Sequence, residues 1–167
     1  MARELGKLLA EDGWVILTGG RDAGVMRAVN HGAKEVTGNL TVGVLPSAAT
    51  EVATSVDVAI ITDMNEARNN INVLSSRVVV AFGQGGPGTV SEVALALKAG
   101  KPVILLAADE VERVFFERLG NGSVQFVESA ADAVAAARRF RCVFATVELL
   151  IINVSLPIML GNKRSYR

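Results

Sequence analysis

Apolar positions along this chain alternate between two rhythms. Short unbroken apolar runs, as in strands buried on both faces, are separated by stretches whose apolar residues recur every three or four positions, as on one side of a helix. The opening MARELGKLLAEDGW spreads charges through its apolar pattern, which predicts an amphipathic helix rather than a secretory signal. Trp14-Val15-Ile16-Leu17 predicts a strand ending at Thr18-Gly19-Gly20, and Val25, Met26, Val29 and Ala33 share one face of the helix that follows. Leu40 to Leu45, closed by Pro46, and Val56 to Ile61 predict two more strands before a helix from about Asn65 to Ser75. Arg77 to Phe82 reads as a fully buried strand, followed by a glycine-rich turn and a helix that turns Val90, Val93, Ala94 and Leu97 inward. Gly100 ends that helix. A strand from Pro102 to Leu106, a helix near Asp109 to Leu119, a strand at Val124 to Val127 and an alanine-rich helix from Ser129 to Phe140 continue the series.

Strands alternating with helices predict an α/β fold, a doubly wound parallel sheet of Rossmann-like type. Cys142 to Leu160 breaks the rhythm: it is strongly apolar but holds Glu148, Asn153 and Pro157. A charged side chain near the centre of a spanning helix costs about 2.5–3.5 kcal/mol on insertion scales, so the expectation is a segment packed on the domain rather than set in a bilayer. The chain thus divides into a nucleotide-binding domain over 1–140 and an apolar tail over 141–167.

Composition narrows the chemistry. Half of the 167 residues are hydrophobic, and 17 basic residues balance 17 acidic ones, which argues against both disorder and a nucleic-acid partner. One cysteine, Cys142, and one histidine, His31, make neither a disulfide framework nor a zinc cluster, so no metal site is expected and a cytoplasmic location fits.

Two glycine-rich turns, each after a predicted strand and before a predicted helix, are the candidate ligand site. In Thr18-Gly19-Gly20-Arg21-Asp22-Ala23-Gly24 and Gly83-Gln84-Gly85-Gly86-Pro87-Gly88-Thr89, glycine lets the backbone approach a ligand, and the following helix offers free N–H groups and the positive end of its dipole. A phosphorylated small molecule fits such a pair. Neither turn has Gly-Lys-Ser/Thr or the G-x-G-x-x-G spacing, which disfavours kinase, ATPase and dinucleotide readings. Arg68 can clamp phosphate oxygens or orient Glu92, one turn into the second helix. Alone, each has a plainer reading: Arg68 as an exposed helix residue, Glu92 as a charge favourable to the helix dipole.

Together, TGGRDAGVM at 18–26, MNEARN at 64–69 and GGPGTVSE at 85–92 resemble the Lonely Guy-like Rossmann superfamily, over about residues 2 to 138. Some of its members carry the label lysine decarboxylase, a chemistry that nothing in this sequence supports. The resemblance implies a ligand site of Gly19, Gly20, Arg21, Gly24, Met26, Met64, Arg68, Asn69, Gly85, Gly86, Gly88, Thr89 and Glu92, and a homo-oligomer. In the hydrolase branch, which removes a 5′-phosphoribosyl group from AMP or cytokinin nucleotides, Arg68 and Glu92 would be catalytic. Here Gln84 stands where that branch has a proline, and Asn69 where it has a lysine. The Met64-x-x-x-Arg68-Asn69 pattern and Gly19-Gly20-Arg21 are closer to the branch of the molybdenum cofactor carrier proteins. That branch implies binding of the molybdenum cofactor, or of a nucleotide, as a ligand without turnover and with no required cofactor. Single-stranded DNA binding, known for a related fold, lacks its basic stripe and aromatic platform here. Members of the superfamily also begin with a strand that lies centrally in the sheet, whereas this sequence starts within the first helix. The expectation is truncation there, or an apolar tail that covers or replaces that strand.

Overall fold

The computed structural model describes residues 1–83, 85–141 and, as backbone, 149–153. In chain order the elements are α1 (Ala2–Glu11), β1 (Val15–Thr18), α2 (Gly24–Ala33), β2 (Thr41–Leu45) and β3 (Val58–Ile61). A single 3-10 turn (Asn65–Ala67) then leads into α3 (Arg68–Ser75). After it come β4 (Val78–Phe82), α4 (Pro87–Lys98), β5 (Val103–Leu106), α5 (Glu110–Gly120), β6 (Val124–Val127), α6 (Ala130–Arg138) and β7 (Leu149–Asn153). All the strands join one parallel sheet in the order β3-β2-β1-β7-β4-β5-β6.

The apolar runs of β4 and β5 show why both faces of this sheet must be covered. Val78, Val80 and Phe82 point with Ile16, Ile104 and Leu106 into a core closed by Leu5 and Leu9 of α1, Val29 of α2 and Ala133 and Ala137 of α6. Val79 and Ala81 point with Leu17, Val103 and Leu105 into a second core, closed by Val73 of α3, Val93 and Ala96 of α4 and Phe116 of α5. The sheet is thus doubly wound. Burial on this scale, at roughly 25 cal/mol per Å² of apolar surface, is the main force holding the layers together.

Helices α1 and α2 touch backbone to backbone. A Cβ on Gly6 would collide with the carbonyl of Val29, and one on Gly32 with the carbonyl of Arg3, so only glycine permits this crossing.

The central slot between β1 and β4 is filled by the last strand. In β7, Leu150 and Ile151 pair with Ile16 and Leu17 on one side, while Ile151 and Asn153 pair with Val79 and Ala81 on the other. This is the replacement of a central strand by the tail that the sequence left open. Cys142, Glu148 and Pro157 lie outside the described residues. Among those described, no helix is long and apolar enough to cross a membrane.

Two local expectations need correcting. Helix α4 starts at Pro87 with Gly86 as its N-cap, and this phase turns Thr89, Glu92, Val93 and Ala96 inward, while Val90 is exposed and Ala94 and Leu97 are half-buried. The helix expected from Asn65 instead opens as a 3-10 turn, because Asp63 and Asn65 hold left-handed backbone angles, φ 54° and 48°, that an α-helix cannot contain.

Candidate functional site

Strands β1 and β4 flank β7, with Thr18 at the end of β1 level with Val80 and β4 running on to Phe82, and each strand releases one of the two glycine-rich turns. Laterally the two strands are two strand spacings apart, about 9–10 Å, a distance on the scale of one phosphorylated ligand. The chain runs outward from this point in opposite directions, through β2 and β3 on one side and β5 and β6 on the other, which makes it the topological switch point of the sheet.

The first turn is held from below. Thr18 is fully buried, and its Oγ1 accepts hydrogen bonds from the Gly20 amide at 3.1 Å and from Asn30 Nδ2 at 3.2 Å. Gly20 adopts φ +71°, a conformation that favours glycine. Its carbonyl accepts from the Ala53 amide, and Arg21 forms an isolated antiparallel bridge with Val52. Gly24 begins α2, and Met26 in its first turn is buried.

Arg68 lies beneath this turn. A Cβ on Gly19 would fall 2.8 and 2.9 Å from the two terminal nitrogens of Arg68 and 3.0 Å from Met26 Sδ, so glycine is what allows the guanidinium to press against the chain. The plainer expectation of an exposed Arg68 does not hold: the residue is 2% exposed. The second turn delivers Glu92, 1% exposed, with its Oε1 3.8 Å from Arg68 Nη1. Gly85 packs against the Thr89 side chain, and Gly86 and Gly88 form the mouth of α4. Gln84 lies outside the described residues. Thus Gly19, Met26, Arg68 and Glu92 form one contiguous group. Asn69 is buried beside it in sequence, whereas Met64 is exposed at the start of the 3-10 turn.

Asn72 and Glu66 escaped the sequence reading. Asn72, fully buried, donates from Nδ2 to Glu92 Oε1 at 3.3 Å. The signal was available, since Asn72 sits four residues after Arg68 and therefore on the same helical face.

Polar groups at this place are buried without being satisfied. Arg68 Nε and Nη1, Glu92 Oε2, Asn69 Oδ1, Asn72 Oδ1 and Arg21 Nε all lack hydrogen-bond partners. A buried, unpaired polar atom costs about 1–3 kcal/mol, more if charged, so a group of them marks a place built to receive something polar. Burial pushes the Glu92 carboxyl up to about 7, against the opposing pull of Arg68 and the Asn72 hydrogen bond and with added push from Glu66. Burial also lowers the affinity of Arg68 for its proton; Glu92 and Glu66 counter this and Arg21 adds to it. Arginine nevertheless keeps its charge in proteins. The result is a fixed cation with free donors, beside a carboxyl close to its titration point. Among the described residues no cluster of acidic, histidine or cysteine side chains could hold a metal ion.

Comparison with known proteins places this arrangement in context. The model of a family described as the SLOG cluster4 family matches residues 1–134. A solved structure of the molybdenum cofactor binding protein from the phototrophic bacterium Rippkaea orientalis is 50% identical, covers 83% of this chain and 84% of its own, and superposes with a TM-score of 0.78. The molybdenum cofactor carrier protein from Chlamydomonas reinhardtii is also 50% identical, over 84% of this chain and 86% of that one, with a TM-score of 0.77. A protein of Archaeoglobus fulgidus is 45% identical over 106 residues, 64% of this chain and 68% of its own length.

Proposed function

This chain belongs to the SLOG cluster4 family, and from that premise we propose that it is a carrier that binds the molybdenum cofactor through its phosphate end and releases it unchanged. The observation that carries the reading is the Arg68 guanidinium, buried under Gly19 with Nε and Nη1 unpartnered. Those donors, the amides of the Gly19 and Gly85 turns and the N-terminus of α4 suit a phosphate monoester. The cofactor is cargo in this reading: its metal and pterin need no reaction from the protein, only shielding. The 50% identity to proteins named for binding and carrying this cofactor supports the same choice. Ligand residues are Gly19, Gly20, Arg21, Gly24, Met26, Met64, Arg68, Asn69, Gly85, Gly86, Gly88, Thr89 and Glu92, and the carrier is a cytoplasmic homo-oligomer. The test is to incubate the purified protein with molybdenum cofactor, pass it through a desalting column and measure oxidised pterin fluorescence. Pterin co-eluting with wild type and lost from Arg68→Ala is expected; pterin retained by neither would sink the reading.

One observation favours a second reading. Glu92 beside Arg68 is the pair a phosphoribohydrolase would use, with Arg68 on the phosphate and Glu92 stabilising an oxocarbenium-like transition state or activating water. Against it, Asn69 supplies no second positive charge. Chromatography after incubation with AMP separates the two: sustained release of adenine by wild type, absent in Glu92→Gln, would replace the carrier by a hydrolase.

A further inference from the structure

We propose that Glu92 is a proton-linked partner for the ligand's phosphate, donating a hydrogen bond from its neutral carboxylic acid to an oxyanion gripped by Arg68, so that above neutral pH binding draws a proton from solvent. This rests on the ligand's anionic end lying at Arg68, as above.

The two carboxyl oxygens of Glu92 are in different situations. Oε1 accepts from Asn72 and faces Arg68, whereas Oε2 is buried and unpartnered. The proton therefore belongs on Oε2. An ionised carboxylate has only acceptors and would repel an oxyanion brought to Arg68 Nε and Nη1; the protonated form turns the unpartnered oxygen into a donor. A phosphate then accepts from the guanidinium and from Oε2–H, and buried polar atoms left idle on both α3 and α4 are satisfied together.

The charged groups near this carboxyl are Arg68 from α3, Glu66 from the 3-10 turn and, through its effect on Arg68, Arg21 from the turn after β1. Arg68 favours the ionised form of Glu92 without overcoming burial, and an anion engaging the guanidinium cancels that influence and adds its own repulsion. Binding therefore raises the proton affinity of a group already placed near neutrality by burial. Below neutral pH Glu92 receives the ligand ready protonated, and above it each anion must bring its proton along.

Sulfate is the probe of choice, because it remains a dianion across the neutral range; AMP serves as the phosphate monoester. Calorimetric titration of wild type should show affinity falling by about tenfold per pH unit above neutrality, the limit for one linked proton. Runs near pH 8 in buffers of different ionisation enthalpy should show uptake approaching one proton. Glu92→Gln keeps an N–H donor and should bind sulfate with an affinity that pH does not alter. Wild-type affinity that is flat with pH, binding without proton uptake, a pH dependence surviving in Glu92→Gln, or no binding of sulfate or AMP at any pH would each overturn the proposal. The carrier reading fails separately: sulfate binding with proton uptake but no pterin retention removes the carrier and leaves the linkage, and pterin retention with pH-flat sulfate binding does the reverse.

Discussion

Arg68 Nη1 and Glu92 Oε1 lie 3.8 Å apart in a place almost closed to water, and neither side chain satisfies the other. A buried ion pair offsets its desolvation only with good geometry and full hydrogen bonding. Here the separation is long and three of the pair's own nitrogen and oxygen atoms have no partner. Stability is a poor explanation for these two residues, and their energetics yield measurable consequences.

Between the ordinary carboxylate range and about pH 7, folded Glu92 holds a proton that the unfolded chain has released. The stabilisation linked to that proton is fully present in acid and is lost as pH rises towards the folded value. Urea unfolding of wild type, taken relative to Glu92→Gln, should therefore show stability decreasing by up to about 1.4 kcal/mol per pH unit through this window, then levelling off. Parallel pH profiles for the two proteins would show that Glu92 titrates normally.

Glycine substitutions should separate scaffold from site. Gly32→Ala drives a methyl into the Arg3 carbonyl, which is backbone and cannot step aside, so a loss of about 1–3 kcal/mol or more is expected. Gly19→Ala meets the tip of Arg68, which can move, at the cost of its place under the turn. Thermal melting should fall mainly for Gly32→Ala, and sulfate affinity mainly for Gly19→Ala. The opposite pattern would detach Arg68 from ligand binding.

How far these roles were legible in sequence depends on whether the signal was local. The strand runs, the two glycine turns and the Arg68 and Glu92 positions follow from period and motif, which local sequence encodes. Burial of Arg68 does not, because it depends on Gly19, some fifty residues away and next to it only after β1 and α3 dock on the sheet. The Gly6 and Gly32 crossing is equally silent, since nothing distinguishes a helix glycine needed for backbone contact from one merely tolerated. The inward face of α4 was read in part: Val93 lies in the core and Leu97 packs against it as the pattern implies, but Val90 drew the pattern to an exposed position and the inward face also includes Thr89 and Glu92. A strand contributed by the tail was one of the possibilities left open, and only its pairing partners could show it.

Deleting residues 142–167 removes β7 and leaves the facing edges of β1 and β4 with unpaired backbone donors and acceptors at the centre of the sheet. The shortened chain should aggregate or melt well below the full one, as judged by size-exclusion chromatography and thermal denaturation. Identical melting of the two would contradict a central position for β7.

Replacing both members of the buried pair tests what they are for. Arg68→Met removes the cation and its idle donors, and Glu92→Met removes the carboxyl that loss of the cation would otherwise leave uncompensated; both keep side chains long enough to fill the space. Exchanges of this kind for apolar residues are often neutral or stabilising by about 1–4 kcal/mol, whereas removal of one partner alone typically costs about 3–5 kcal/mol. Asn72, which loses its acceptor, subtracts about 1–3 kcal/mol from any such gain. The double variant should therefore stay close to wild type in stability near pH 7, with each single variant below it, and should bind neither sulfate nor AMP. Denaturant titration of all four proteins, paired with calorimetry, gives the coupling directly. If the double variant is markedly less stable than wild type, the pair is structural, and the case for Arg68 and Glu92 as ligand-binding groups loses its energetic support.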